Sequence, residues 1–138
     1  MRVMILAKST PETESAPPRQ EGWEAMARFS EELTNAGILL AADRLHPSSK
    51  GARVRFEGTN RTVIDGPFTE AKELVAGFWI WQVRSLDEAI EWLKRAPFDG
   101  GEFEIRPVYE ADDFGDAMTP ELRAQWERLR ATGTAHES

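Results

Sequence analysis

An α+β fold, with a small antiparallel sheet and two helices packed on it, is what this chain of 138 residues predicts. Three observations carry that reading. Short apolar or alternating runs recur along the chain in the manner of strands. Between the first two runs, and again between the last two, the pattern changes to the three- and four-residue steps of an amphipathic helix. The chain also lacks cysteine and any apolar run near the roughly 18 residues of a membrane span, so neither a disulfide framework nor a membrane fold competes.

The elements follow in order. Val3 to Ala7 is continuously apolar and reads as a buried strand. Ser9 to Gln20, rich in Pro, Glu, Ser and Thr, reads as a loop, longer than usual and therefore mobile or functional. From Glu21 to Ala36, Trp23, Met26, Phe29 or Ser30, Leu33 and Ala36 fall on one helical face, and Gly37 supplies the left-handed terminator. Ile38 to Ala42 is the second strand, leading to Arg44-Leu45-His46-Pro47 and a Ser-Ser-Lys-Gly turn.

Ala52 to Glu57 alternates, with Val54 and Phe56 on one side and Arg53, Arg55 and Glu57 on the other. Gly58-Thr59-Asn60-Arg61 makes a hairpin loop and Thr62-Val63-Ile64 returns. After an Asp65-Gly66-Pro67-Phe68 corner comes the strand Leu74 to Val83. Ser85 to Glu88 reads as a capping box opening a helix with Leu86, Ala89, Ile90 and Leu93 on one face, which ends before Pro97. Phe103 to Tyr109 is the last strand. A tail helix starts at Thr119-Pro120-Glu121, carries Leu122, Trp126 and Leu129 as its stripe, and frays from Thr132.

Strand, helix, strand, hairpin, strand, helix, strand is a ferredoxin-like βαββαβ arrangement with an extra hairpin and a C-terminal helix. The expected division is one domain over 1–115 and a helical tail over 116–138. The strand Leu74 to Val83 is apolar on both sides, whereas a strand facing water on one side should alternate. A second copy covering the free face, in a dimeric α+β barrel, is the economical expectation.

A net charge of -7 and a pI near 4.9 oppose the basic stripe that direct nucleic-acid binding needs, and oppose an anionic membrane surface as partner. The apolar run at the N-terminus is too short for a signal peptide, which points to the cytoplasm. No ligand spacing suggests a metal, and no motif suggests a cofactor.

The most informative stretch is Asp65-Gly66-Pro67-Phe68, with Lys72-Glu73 just after and Ala76-Gly77-Phe78-Trp79-Ile80 beyond. Asp65 at a strand end suits a general base; alternatively its carboxylate accepts amide hydrogens from its own turn. His46 is the one histidine outside the tail and suits a proton partner, provided the strands ending at His46 and Asp65 are neighbours. Lys72 and Glu73 are candidate contacts for a polar ligand, or a solvated pair. Trp79 and Trp81 are candidates for a ligand-cavity wall or a dimer core.

With Glu104-Ile105-Arg106-Pro107 and the turn from Ala41-Ala42 to Leu45-His46-Pro47, these motifs resemble the YCII-related family, in its DGPF branch, from Met1 to about Gly115. The resemblance implies a ferredoxin-like homodimer joined through its sheets. It also implies a small-molecule enzyme or ligand-binding protein: some relatives use a His-Asp pair, and one removes chloride from a chlorinated hydroxyhydroquinone. That histidine lies on the first helix, and its place falls here near Met26, on a helix without histidine. The alternative implied by the resemblance is a non-catalytic accessory dimer linked to sigma-factor-dependent transcription.

Overall fold

The computed structural model describes residues 1–15, 22–70 and 73–137, with side chains as far as residue 132. Among these the order is β1 (Arg2–Lys8), α1 (Pro11–Ser15), α2 (Trp23–Asn35), β2 (Leu39–Arg44), β3 (Ala52–Glu57), β4 (Asn60–Asp65), β5 (Val75–Gln82), α3 (Leu86–Lys94), β6 (Phe103–Pro107) and α4 (Pro120–Glu137). Short 3-10 segments lie at Ser48–Lys50 and Ala111–Ala117. The chain divides into two compact units, Met1–Pro107 and Val108–Ser138.

In the first unit a four-stranded antiparallel sheet has the order β2-β5-β1-β6. That is the split β-α-β order expected from the succession of elements. β3 and β4 form a separate two-stranded ribbon.

Register decides which residues meet the helices. Val3 lies opposite Trp81, and Ile5 lies between Trp79 and Ile105. This face carries the core, in which Val3, Ile5, Trp81, Phe29 and Leu33 of α2 and Ala89 of α3 are buried together. Phe29 meets Trp79 and Trp81 edge-on, with ring centroids 6.3 and 6.4 Å apart. Burying a side chain such as Leu33 contributes about 1.5–3 kcal/mol. α2 stops where Gly37 takes φ 74 and the Gly37 and Ile38 amides return to the carbonyls of Thr34 and Leu33.

The opposite face is apolar at its centre. Met4 pairs with Ile80 and Leu6 with Phe78, all half-buried. The outer strands add polar ends to these rows: Asp43 beside Phe78, Glu104 beside Leu6 and Arg106 beside Met4.

Several expectations are corrected. The stretch expected to be loop from Ser9 contains α1, because Thr10 accepts from the Thr13 amide and Pro11 takes the first helical position; residues 16–20 of that expectation lie outside the described residues. Trp23 opens α2 but is 53% exposed, being one turn too early to reach the core. The hairpin turns through Gly58 and Thr59 alone, since Glu57 still pairs with Asn60, and Gly58 takes φ 60. Ser85 caps α3 by accepting from the Glu88 amide, but Glu88 reaches back one residue further than expected, to the Arg84 amide. β6 ends at Pro107, two residues early, as proline cannot donate to the ladder. α4 begins with Thr119 accepting from the Leu122 amide and continues to Glu137, past the expected fraying point.

Candidate functional site

The Asp65–Phe68 corner is built by contacts with the turn after β2. Gly66 lies so close to the Ser48 carbonyl that any Cβ there would run into it, and its amide donates to Gly51 O at 3.1 Å. The Gly66–Pro67 peptide is cis. One residue on, the Phe68 amide donates to Ser48 Oγ at 3.0 Å.

Ser48 is held in turn by Glu14 of α1. The Ser48 amide donates to Glu14 Oε2 at 2.7 Å and the hydroxyl donates to Glu14 Oε1 at 2.6 Å. Hydrogen bonds to an ionised carboxylate are among the stronger ones. Three segments distant in sequence thus converge on one serine. Glu14 and Ser48 were not foreseen as site residues; the only sequence signal was the unusual length of the segment from Ser9.

Phe68 also carries the Arg53 guanidinium 3.6 Å from its ring centroid. Arg53 in turn pairs with Glu73 at 2.8 Å. Both side chains are about two-fifths exposed, so the ion pair contributes no more than about 1 kcal/mol. Lys72 lies outside the described residues.

Asp65 ends β4 opposite Ala52, on the ribbon face that also carries Val54 and Val63. It is exposed, and among the described residues nothing donates to its carboxylate. The corner's hydrogen bonds therefore run through Gly66, Phe68, Ser48 and Glu14 and leave the Asp65 side chain unused. His46 is likewise exposed, in the turn after β2. β2 and β4 belong to different sheets, and no hydrogen bond joins His46 to Asp65.

The two tryptophans are placed differently from expectation. Trp81 is completely enclosed within the helix-facing core, where its indole Nε1 has no partner among the described residues. Trp79 is half-buried there and stacks on Trp81 at 5.5 Å and on Phe103 at 6.2 Å. Neither lies on the sheet face of Phe78 and Ile80, because residues 79 and 81 share the parity that points toward α2. Trp81 has no surface to offer a ligand.

A hollow of about 340 Å³ opens elsewhere, lined by Ala36, Ile38, Gln82, Val83, Glu88 and Trp92. Beside it the Glu88 carboxyl is held below the ordinary carboxylate range, first by the Arg84 amide and then by the Arg84 guanidinium, bonded at 2.7 Å. Among the described residues no group of three or more acidic, histidine or cysteine side chains could hold a metal. No helix there is long and apolar enough to cross a membrane.

The family model of the YCII-related domain matches residues 1–112, from β1 through the corner to just past β6. The chain belongs to the YCII-related family. Among its YCII-related kin is an uncharacterised protein of Rhizobium meliloti (strain 1021), 32% identical over 114 residues, spanning 78% of this chain and 92% of that protein. A solved structure is also similar: a 5-chloro-2-hydroxyhydroquinone dehydrochlorinase from Burkholderia phenoliruptrix AC1100, in complex with 2,5-dihydroxybenzoquinone. It is 19% identical with a TM-score of 0.45, over 80% of this chain and 95% of that one.

Proposed function

We propose that this YCII-related protein is a homodimer of the DGPF branch that binds and acts on a small molecule in a cleft between its two copies. Asp65 is its acid–base carboxylate. One observation carries the reading: the corner at Asp65 is built without the Asp65 side chain. A turn aspartate kept for structure accepts amide hydrogens from its own turn. This one is held out, free to meet a ligand, on a support made rigid by other residues.

The cleft is assigned to the contact between copies. The half-buried apolar face of Met4, Leu6, Phe78 and Ile80 supports a second copy there. His46 is the second candidate for proton transfer, being an exposed imidazole at a strand end.

Asp65→Asn tests the assignment, because it keeps the shape and removes the charge. A panel of small carboxylic acids and phenols would be screened by thermal shift and calorimetry against the wild type and this variant. The expected result is a bound compound whose affinity falls at least tenfold in Asp65→Asn while stability stays within about 0.5 kcal/mol. Unchanged affinity would overturn the role, and so would a large loss of stability.

The accessory-dimer reading linked to sigma-factor-dependent transcription is favoured by α4, where Leu122, Trp126 and Leu129 are 42%, 56% and 54% exposed. A stripe of that kind suits a protein partner.

A further inference from the structure

The β3–β4 ribbon has an apolar face that is exposed among the described residues. Opposed pairs place Val54 with Val63, Phe56 with Arg61 and Ala52 with Asp65 on that face. Val54, Val63 and Phe56 are 51%, 64% and 67% exposed. Among the described residues the ribbon strands pair only with each other, and an isolated two-stranded ribbon is marginally stable in water.

The same unit presents a second apolar surface, half-buried at its centre, the sheet face whose rows are Asp43–Phe78–Leu6–Glu104 and Ala41–Ile80–Met4–Arg106. Charge matches the two. The ribbon bears Arg53, Arg55 and Arg61 against Glu57 and Asp65, in a chain whose net charge is -7. Arg61 lies on the ribbon's apolar face, over Phe56. Asp43, at the end of the Phe78–Leu6 row, has no partner among the described residues. Two apolar surfaces on one chain are covered together when two copies exchange them about a twofold axis.

We propose that the β3–β4 ribbon is an exchange arm. It lays Val54, Val63 and Phe56 on the sheet face of Phe78 and Ile80 in a second copy and sets Arg61 against that copy's Asp43. It thereby carries Asp65 into the interface, so that the site is complete only in the dimer. The inference rests on the homodimer proposed above and names the element that forms it.

The chain has no cysteine, so single-cysteine variants report contact without background. Val63→Cys and Phe78→Cys proteins, tagged to differ in mass, would be mixed and oxidised, with Glu91→Cys on α3 replacing Phe78→Cys as control. The expected product is a disulfide-linked heterodimer from the first mixture and none from the control. In sedimentation, Arg61→Asp should raise the dimer dissociation constant at least tenfold, and adding Asp43→Arg should restore it. A dimer that gives no Val63–Phe78 product and ignores Arg61→Asp would overturn the arm while leaving the homodimer standing. A wild-type chain that sediments as a monomer at micromolar concentration would overturn both. Val54 and Arg61 are exposed, so Val54→Asp and Arg61→Asp report on association independently of the half-buried Phe78.

Discussion

Glu14 grips Ser48 with both carboxylate oxygens, at 2.7 Å from the amide nitrogen and 2.6 Å from the hydroxyl, across 34 positions of sequence. Because the same hydroxyl accepts from the Phe68 amide, this pair ties the segment after β1 to the corner that presents Asp65. Ser48→Ala removes the acceptor for Phe68 and one donor to Glu14. It should cost about 1–3 kcal/mol by urea denaturation. Glu14→Gln combined with Ser48→Ala should cost less than the sum of the two single changes, since the residues share one interaction.

Gly66→Ala should be more damaging than either. The new methyl group would meet backbone, the Ser48 carbonyl, which cannot turn aside as a side chain can. A loss of at least about 3 kcal/mol in the unfolding free energy is expected. A variant as stable as the wild type would show that the corner and the Ser48 turn are not so closely apposed.

In the core, Leu33→Ala should destabilise by about 2–5 kcal/mol, because Leu33 is completely buried between α2 and the sheet. The same truncation at the exposed Val63 should leave monomer stability within about 0.5 kcal/mol. Thermal or urea unfolding of the two variants, at a concentration where association is suppressed, gives the comparison.

Glu88 sets a pH dependence of known sign. Its carboxyl is held below the ordinary value in the folded chain by the Arg84 amide and guanidinium, so folding favours the ionised form. The contribution is fully present above the unfolded carboxylate value of about 4.3 and is lost as pH falls through the lower folded value. Glu88→Gln should therefore lower the melting temperature at pH 7. The gap to the wild type should close as the solution is acidified below pH 4. A gap that stays constant down to pH 2 would contradict this.

Much of the first unit was legible in residue order. Periodicity located the strands and both long helices, since a period of two and a period of 3.6 are local properties of a chain. Gly37 and Ser85 marked helix ends because capping depends on the nearest few residues. The doubly apolar pattern of β5 showed that both of its faces are apolar. It did not show that Trp79 and Trp81 lie on the side of α2 and α3, with Phe78 and Ile80 on the other. That choice depends on which face α2 reaches, and both faces of β5 look alike in sequence.

The site divides the same way. By itself the sequence determined the family, the succession of elements and the special character of Asp65-Gly66-Pro67-Phe68, because each is encoded in neighbouring residues. Only the tertiary structure decided what that corner rests on. Glu14, Ser48, Gly66 and Arg53 meet there from four separate segments, and contacts between distant segments leave no local pattern to read. It also placed β2 and β4 in different sheets, so that His46 and Asp65 do not end neighbouring strands, a choice made by strand pairing and not by either residue.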